Sequence, residues 1–450
     1  MRSIDPWCRE VLRHWTAHAP DEVEALVASA VDAQVSWRRL SFDARAVPLR
    51  RIAALLRERE ERYGLLMTRE MGKPIEQARA EIRKCAVVCD HYAEHAAALL
   101  AQEPVDVGDE GAMLRFDPLG VVLSIMPWNF PWWQVLRFAA PALMAGNAVL
   151  VKHAENTLGC GEAIAQLVLE AGLPEGLLQH VIVEVDRIPP LIADPRIAAV
   201  TLTGSDRAGR AVASAAGSSL KRTVLELGGS DPFIVLEDAD LDIAVRGAVA
   251  GRTQNSGQSC VAAKRFVVLR DVAEPFIERF AAALAGLQVG DPRCHDTDIG
   301  PLARPDLLAT LADQVDATVA AGARVVVGGA PDGPCYPPTL LVDVPTHSPA
   351  AREELFGPVA AVFVVDDEES AIALANDTRF GLAASIWTRD LSRAQRIASQ
   401  LETGGVFVNR IPISDPRHPF GGIRDSGYGR ELGREGIREF VNVKTVRWVR

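Results

Sequence analysis

The chain has 450 residues, a net charge of −11 and 48% hydrophobic residues. That length implies two or three domains, and that hydrophobic content belongs to a globular protein rather than a disordered one. An acidic balance spread along the chain excludes a basic nucleic-acid or anionic-membrane surface, and no uncharged apolar run approaches the length of a spanning helix.

The opening, MRSIDPWCREVLRHW, has no apolar signal-peptide core, which predicts a reduced, cytoplasmic protein. Residues 21–40 (DEVEALVASAVDAQVSWRRL) and 46–71 (AVPLRRIAALLREREERYGLLMTREM) repeat apolar residues at spacings of three and four, predicting helices. The seven cysteines are odd in number and show no paired spacing. Cys85 and Cys89 stand four apart on a probable helix and read as core thiols; without histidines at ligand spacing, no metal is expected.

From 120 onward the pattern changes to strand–helix alternation. Strands VVLSIM, NAVLVK, HVIV and AVTLT are separated by helical runs such as LGCGEAIAQLVLEAG, closed by Gly172. After Asp231 a second series brings strands RFVVL, ARVVVGG, AAVFVV, AASIWT and GGVFVN, with helices SAIALAND and SRAQRIASQLE between them. Such alternation predicts parallel sheets covered by helices on both faces. GAMLRFDPLG and the late strand VNVKTVRWV fit neither series.

Four segments carry polar residues where a sheet core prefers apolar ones. In GVVLSIMPWNFPWW the strand ends at Pro127, so Asn129 sits at the C-terminal sheet edge, where open α/β folds bind ligands; an ordinary turn is the alternative. TLTGSDRAGR runs a strand through Gly204 and Ser205 into a helix N-terminus, a place for phosphate. In TVLELGGSDP, Glu226 is either a surface edge residue or a partly desolvated base. QNSGQSC ends a small polar turn on Cys260, either a buried thiol or a nucleophile. Together they offer nucleophile, oxyanion donor, base and cofactor grip.

PWNFP, KHAE, TGS, ELGGSDP, NSGQSC, EELFGPV, PFGG and SGYGRE follow one another in the order found in the aldehyde dehydrogenase superfamily, which the chain resembles over essentially its whole length. The resemblance implies an α/β fold with a Rossmann-type NAD-binding domain (1–105 and 120–230), an α/β catalytic domain (231–435) and a small β oligomerisation element (106–119 and 436–450). It makes Cys260 the nucleophile, Glu226 the general base and Asn129 the oxyanion amide. Trp128, Lys152, Glu155, Gly204, Ser205, Gly228, Glu354 and Phe356 become the cofactor contacts. The expected assembly is a homodimer or homotetramer.

The chemistry implied is oxidation of an aldehyde through a cysteine thiohemiacetal and thioester. SIMPWNFPWWQVLRFAAP and CVAAKRF look closest to short bacterial succinate-semialdehyde dehydrogenases. In that subgroup Arg137, a guanidinium in an otherwise apolar helix, contacts a distal carboxylate, with Trp133, Ser259 and Ser414 also on the substrate side; an exposed helix arginine is the alternative. Glu155 would accept from ribose hydroxyls and repel a 2′-phosphate, so NAD is the preferred cofactor and NADP the second. A broad or different semialdehyde specificity, a CoA-acylating relative, a cofactor-free cysteine hydrolase and a non-catalytic homologue stay open. Glu226 argues against the CoA-acylating relative. Retention of Cys260, Glu226 and Asn129 together argues against the non-catalytic homologue.

Overall fold

A computed structural model describes residues 1–108 and 111–449. Asp109 and Glu110, inside the expected 106–119 element, and Arg450, at the end of 436–450, lie outside the described residues.

The helical N-terminal region forms helices Pro20–Trp37, Phe42–Glu58, Glu60–Met71 and Ile75–Leu99. The run expected over 46–71 is two helices, parted at Arg59, whose φ of −114° and ψ of 22° leave the helical well. Cys85 and Cys89 are buried in the core on the long fourth helix.

Two parallel sheets carry the rest. The first runs Gly427–Tyr428, Arg222–Glu226, Ile197–Thr203, Val121–Met126, Ala148–His153, Leu178–His180, with only the Gly427–Tyr428 pairing antiparallel. Every residue of Val121–Met126 and Ala148–His153 is buried, because helices cover both faces of the sheet. The second runs Arg324–Val327, Thr339–Val342, Val359–Val365, Ala263–Leu269, Asp231–Val235, Ala383–Trp387, Gly405–Val408, antiparallel only at Arg324–Val327.

The two strands that fitted neither series pair with each other. Gly111–Pro118 and Val441–Trp448 run antiparallel, from Val441 opposite Pro118 to Trp448 opposite Gly111, with Glu103–Pro104 on the far side. Gly427–Tyr428, inside the segment assigned to catalysis, adds to the edge of the first sheet next to Glu226. Three features were not anticipated: a hairpin of Arg2–Ile4 and Val11–His14, the strand Thr339–Val342, and a strand ending at His180 where HVIV suggested one beginning there. Among the described residues no helix is long and apolar enough to cross a membrane.

Candidate active site

The C-terminal edge of the first sheet carries the site. Val121–Met126 ends into the loop bearing Trp128 and Asn129, Ile197–Thr203 into Gly204 and Ser205, and Arg222–Glu226 ends on Glu226 itself. Helix Leu241–Thr253 delivers the turn Gln254–Cys260 against them.

That turn is conformationally strained. Asn255 and Ser256 both have positive φ, 56° and 53°, a region costly for residues with a Cβ. Side chains hold them there. Asn255 Nδ2 donates to the carbonyls of Asn129 at 2.7 Å and Gln258 at 3.0 Å, its backbone N–H donates to Gln77 Oε1, and Ser256 Oγ accepts from the Gly300 N–H. The turn leading to Cys260 and the Asn129 loop are thus bonded to one another.

A second layer fixes the Asn129 loop. Buried Lys73 donates to the Asn129 carbonyl at 2.9 Å and pairs with Glu81, whose Oε1 accepts from the N–H groups of Trp132 and Trp133. Glu81 thereby caps helix Trp133–Ala145, where a negative charge suits the N-terminal dipole. Asn129 Nδ2 donates to the Gln258 carbonyl at 3.1 Å, which leaves the second amide hydrogen for a developing oxyanion.

Cys260 is partly exposed, but protein surrounds its thiol and desolvation pushes it up to about 12. Lys264 and Arg137 pull it down, whereas Glu354 and Glu226 push further up. Lys264, fully buried, donates to the carbonyls of Ser259 and Cys260 and pairs with Glu354 at 3.4 Å. Because the thiolate forms only as pH approaches the raised value, alkylation of Cys260 in the cofactor-free enzyme climbs about tenfold per pH unit from neutrality upward. Mass spectrometry of the Cys260 peptide after iodoacetamide treatment checks this; a plateau near pH 7 would contradict it.

Glu226 is fully enclosed, and neither carboxylate oxygen has a hydrogen-bond partner among the described residues. Burial drives its pKa well above the ordinary carboxylate range, the neighbouring Glu431 adds to that, and Arg137 and Arg430 oppose it. Gly421 permits the enclosure: its φ is +151°, and a Cβ there would lie 2.6 Å from Glu226 Oε1. A carboxyl enclosed in this way holds a proton more tightly than a free one, so once ionised it is suited to taking a proton from water.

Arg137 is not the exposed helix arginine of the alternative reading. It is buried on helix Trp133–Ala145, forms an ion pair with Glu431, lies 4.8 Å over the Phe420 ring, and its Nη2 reaches Gln134 and Thr203. Glu431 engages the guanidinium through Nε, while Nη2 makes only contacts of 3.4 Å with Gln134 and Thr203. Trp133 is buried with its Nε1–H unpaired among the described residues, as is the Ser259 hydroxyl, and Ser414 accepts from Lys84 Nζ at 2.7 Å.

The residues expected to contact the cofactor lie where strands of the first sheet end and on the segment around Glu354 and Phe356. Ser205 caps helix Asp206–Ser218, its Oγ accepting from the Ala208 N–H at 3.3 Å. Lys152 is next to last in strand Ala148–His153, with Glu155 just beyond; both line a cavity of about 540 Å³ together with Arg2, Arg9, Arg304 and Asp306. Glu354 accepts from the Gly229 N–H at 3.0 Å, and a Cβ on Gly228 would lie 2.4 Å from Glu354 Oε2, so only glycine lets the carboxylate approach. Trp128 meets Phe356 edge to face at 5.7 Å, and Arg304 lies 6.0 Å over the Trp128 ring. A phosphate-accepting helix end, a lysine with a carboxylate, and an aromatic floor fit a nicotinamide dinucleotide.

A family model described as the aldehyde dehydrogenase family matches residues 1–446. The chain belongs to the aldehyde dehydrogenase family. A Synechocystis relative named a probable succinate-semialdehyde dehydrogenase, NADP(+), is 53% identical over 450 residues, 99% of each chain. An Escherichia coli succinate semialdehyde dehydrogenase, NAD(P)+, is 50% identical over 99% of this chain and 97% of its own. Among solved structures, the succinic semialdehyde dehydrogenase of Streptococcus pyogenes in complex with NADP+ superposes with a TM-score of 0.97 at 35% identity, covering 99% of both chains. The enzyme is an oxidoreductase acting on aldehydes.

Sequence reasoning did not find Lys73, Glu81, Lys84, Asn255, Lys264 or Glu431. A signal existed for two of them: Glu81 and Lys84 are charged residues beside Ile82 and Cys85 on a helix whose inward face is otherwise apolar.

Proposed function

We propose that this aldehyde dehydrogenase oxidises succinate semialdehyde to succinate, with NADP+ as its better cofactor and NAD+ accepted. The observation that carries the chemistry is the meeting of a thiol, an unpaired buried carboxyl and an amide donor at one sheet edge. The names of the full-length relatives support the substrate and the cofactor.

Cys260 attacks the aldehyde carbon as thiolate, and the Asn129 amide with the Cys260 backbone N–H takes up the oxyanion charge. A nicotinamide dinucleotide held there would supply the acceptor for the hydride that leaves the thiohemiacetal carbon on Cys260, leaving a thioester. Glu226 then takes a proton from water, which attacks the thioester, releasing the acid and restoring the thiol. Lys152, Glu155 and Ser205 hold the adenosine and pyrophosphate end; Trp128, Gly204, Gly228, Glu354 and Phe356 hold the nicotinamide end. Arg137, its Nε paired with Glu431, lies on the substrate side with Trp133, Ser259 and Ser414.

Choosing NADP+ over the NAD expected from Glu155 rests on the relatives' names and on charge. Glu155 is exposed, and its cavity holds Lys152, Arg2, Arg9 and Arg304 against Glu155 and Asp306, a net positive lining that favours a 2′-phosphate even though Arg304 pairs with Asp306. Residues 1–105 with 120–230, and 231–435, serve as cofactor and catalytic domains. The sheet of Gly111–Pro118 and Val441–Trp448 serves a homodimer or homotetramer through its edge strand, where Val443 and Trp448 are exposed. The enzyme works in the cytoplasm.

Steady-state kinetics with succinate semialdehyde and unbranched alkanals, each with both cofactors, test the reading. Succinate semialdehyde with NADP+ gives the highest kcat/KM. Glu155→Ser widens the NADP+ advantage roughly three- to tenfold by removing a like charge. An alkanal preference contradicts the substrate, and a wild-type preference for NAD+ contradicts the cofactor.

A further inference from the structure

The hairpin of Arg2–Ile4 and Val11–His14 brings two arginines to the wall of the cavity that holds Lys152 and Glu155. Arg2 starts its first strand and Arg9 lies in the connection between the strands. The hairpin is anchored close to Glu155. Ser3 Oγ accepts from the Trp15 Nε1–H at 3.2 Å, and Trp15 shares a buried cluster with Leu158 and Ile182. The connection is seated as well: Pro6, Trp7 and Arg9 line a neighbouring cavity of about 370 Å³ with Leu302 and Leu308. Both guanidinium groups are therefore carried by an element packed at each end.

Arg9 is a costly residue for its place. Its φ is +65°, in the left-handed region, and the strand pairing shifts register between Ser3 and Ile4, an arrangement that favours glycine in the turn. Its N–H donates to the Asp5 carbonyl at 2.9 Å, which closes the turn without using the side chain. The guanidinium is exposed, and among the described residues no carboxylate pairs with it or with that of Arg2. Nothing inside the hairpin repays the strain, which leaves the charge itself as what arginine adds there. The other cations of the cavity are engaged. Arg304 pairs with Asp306 at 2.9 Å, and Glu155 stands close enough to Lys152 to favour its charged form against the cost of burial. Asn156, on the same wall, keeps its Nδ2 buried with no acceptor among the described residues. Two free guanidinium groups and an amide donor thus surround a space that lacks an anion.

We propose that Arg9, with Arg2, binds the 2′-phosphate of NADP+ and sets the preference for NADP+ over NAD+. This rests on the NADP+ reading above. A phosphate monoester carries nearly two negative charges at neutral pH and three acceptor oxygens, which suits guanidinium forks better than point charges. Glu155 alone would repel that phosphate; the hairpin supplies the two uncommitted cations that outweigh it. NAD+ has only a hydroxyl at that position, so the hairpin arginines gain nothing from it.

The test is equilibrium binding of NADP+ and of NAD+ to the enzyme without aldehyde, by titration calorimetry. Arg9→Gly removes the guanidinium and gives the turn the residue its backbone favours, so the variant melts close to the parent. It weakens NADP+ about five- to thirtyfold and leaves NAD+ within about twofold. Arg2→Ala weakens NADP+ roughly two- to tenfold with the same indifference to NAD+, and Arg9→Lys keeps part of the parent's NADP+ affinity. Added potassium chloride lowers NADP+ affinity more steeply in the parent than in Arg9→Gly. Unchanged NADP+ affinity in Arg9→Gly, or equal losses for the two dinucleotides, overturns the proposal. A parent that binds NAD+ more tightly than NADP+ overturns instead the cofactor reading on which it rests.

Discussion

Replacing Cys260 by alanine abolishes aldehyde-dependent reduction of NADP+, a loss on the order of 10⁴-fold or more, while NADP+ still binds. Cys260 is the cysteine on the strained turn bonded to the Asn129 loop and in the field of Glu226. Cys85, Cys89, Cys160 and Cys335 are buried, and burial raises each of their thiols. Cys8 and Cys294 are exposed, on elements that bring no base or oxyanion donor. The proposed cofactor contacts Lys152, Ser205 and Glu354 sit on other elements, so removing one sulfur leaves them in place. Titration calorimetry with NADP+ and a turnover assay on the same preparation check both halves. Turnover within tenfold of the parent would mean that another group attacks the aldehyde.

The motifs were legible in the sequence because each is a local event. A strand that ends at Pro127, a strand that runs into Gly204 and Ser205, and a helix that ends in a small polar turn all put their polar residues at one sheet edge. Strands that are buried on both faces read as short apolar runs, which is why both sheets could be anticipated. Thr339–Val342 escaped because it follows the proline-rich CYPP, which reads as loop. The N-terminal hairpin escaped because strands of three and four residues carry too little alternation to register.

The site's supports were hidden for a different reason: their partners are far away in the chain. Arg137 announces itself as a guanidinium in an apolar helix, but nothing near it reveals that Glu431, 294 residues on, will take it up. Lys73 and Glu81 look like ordinary charges around a helix start, and only the fold shows them gripping the Asn129 loop. Lys84 meets Ser414 across 330 residues. Such contacts depend on how the sheets and helices assemble, which periodicity does not encode.

Glu226→Gln separates the two halves of the reaction and tests the account's central claim, that this enzyme works through an acyl group on Cys260 hydrolysed with the help of Glu226. The substitution keeps the shape of a side chain enclosed against Gly421 and removes its ability to take a proton. Acylation uses Cys260 and Asn129, so it survives; hydrolysis loses its base and slows about 10²–10⁴-fold. With succinate semialdehyde and NADP+ in excess, rapid mixing then gives one equivalent of NADPH per site, followed by a slow phase. The deciding measurement is the mass of the Cys260 peptide from enzyme quenched during that slow phase. The account predicts a succinyl thioester on Cys260 at close to full occupancy in Glu226→Gln and little in the parent. An unmodified Cys260 peptide, with steady-state turnover equal to the parent's, would contradict it.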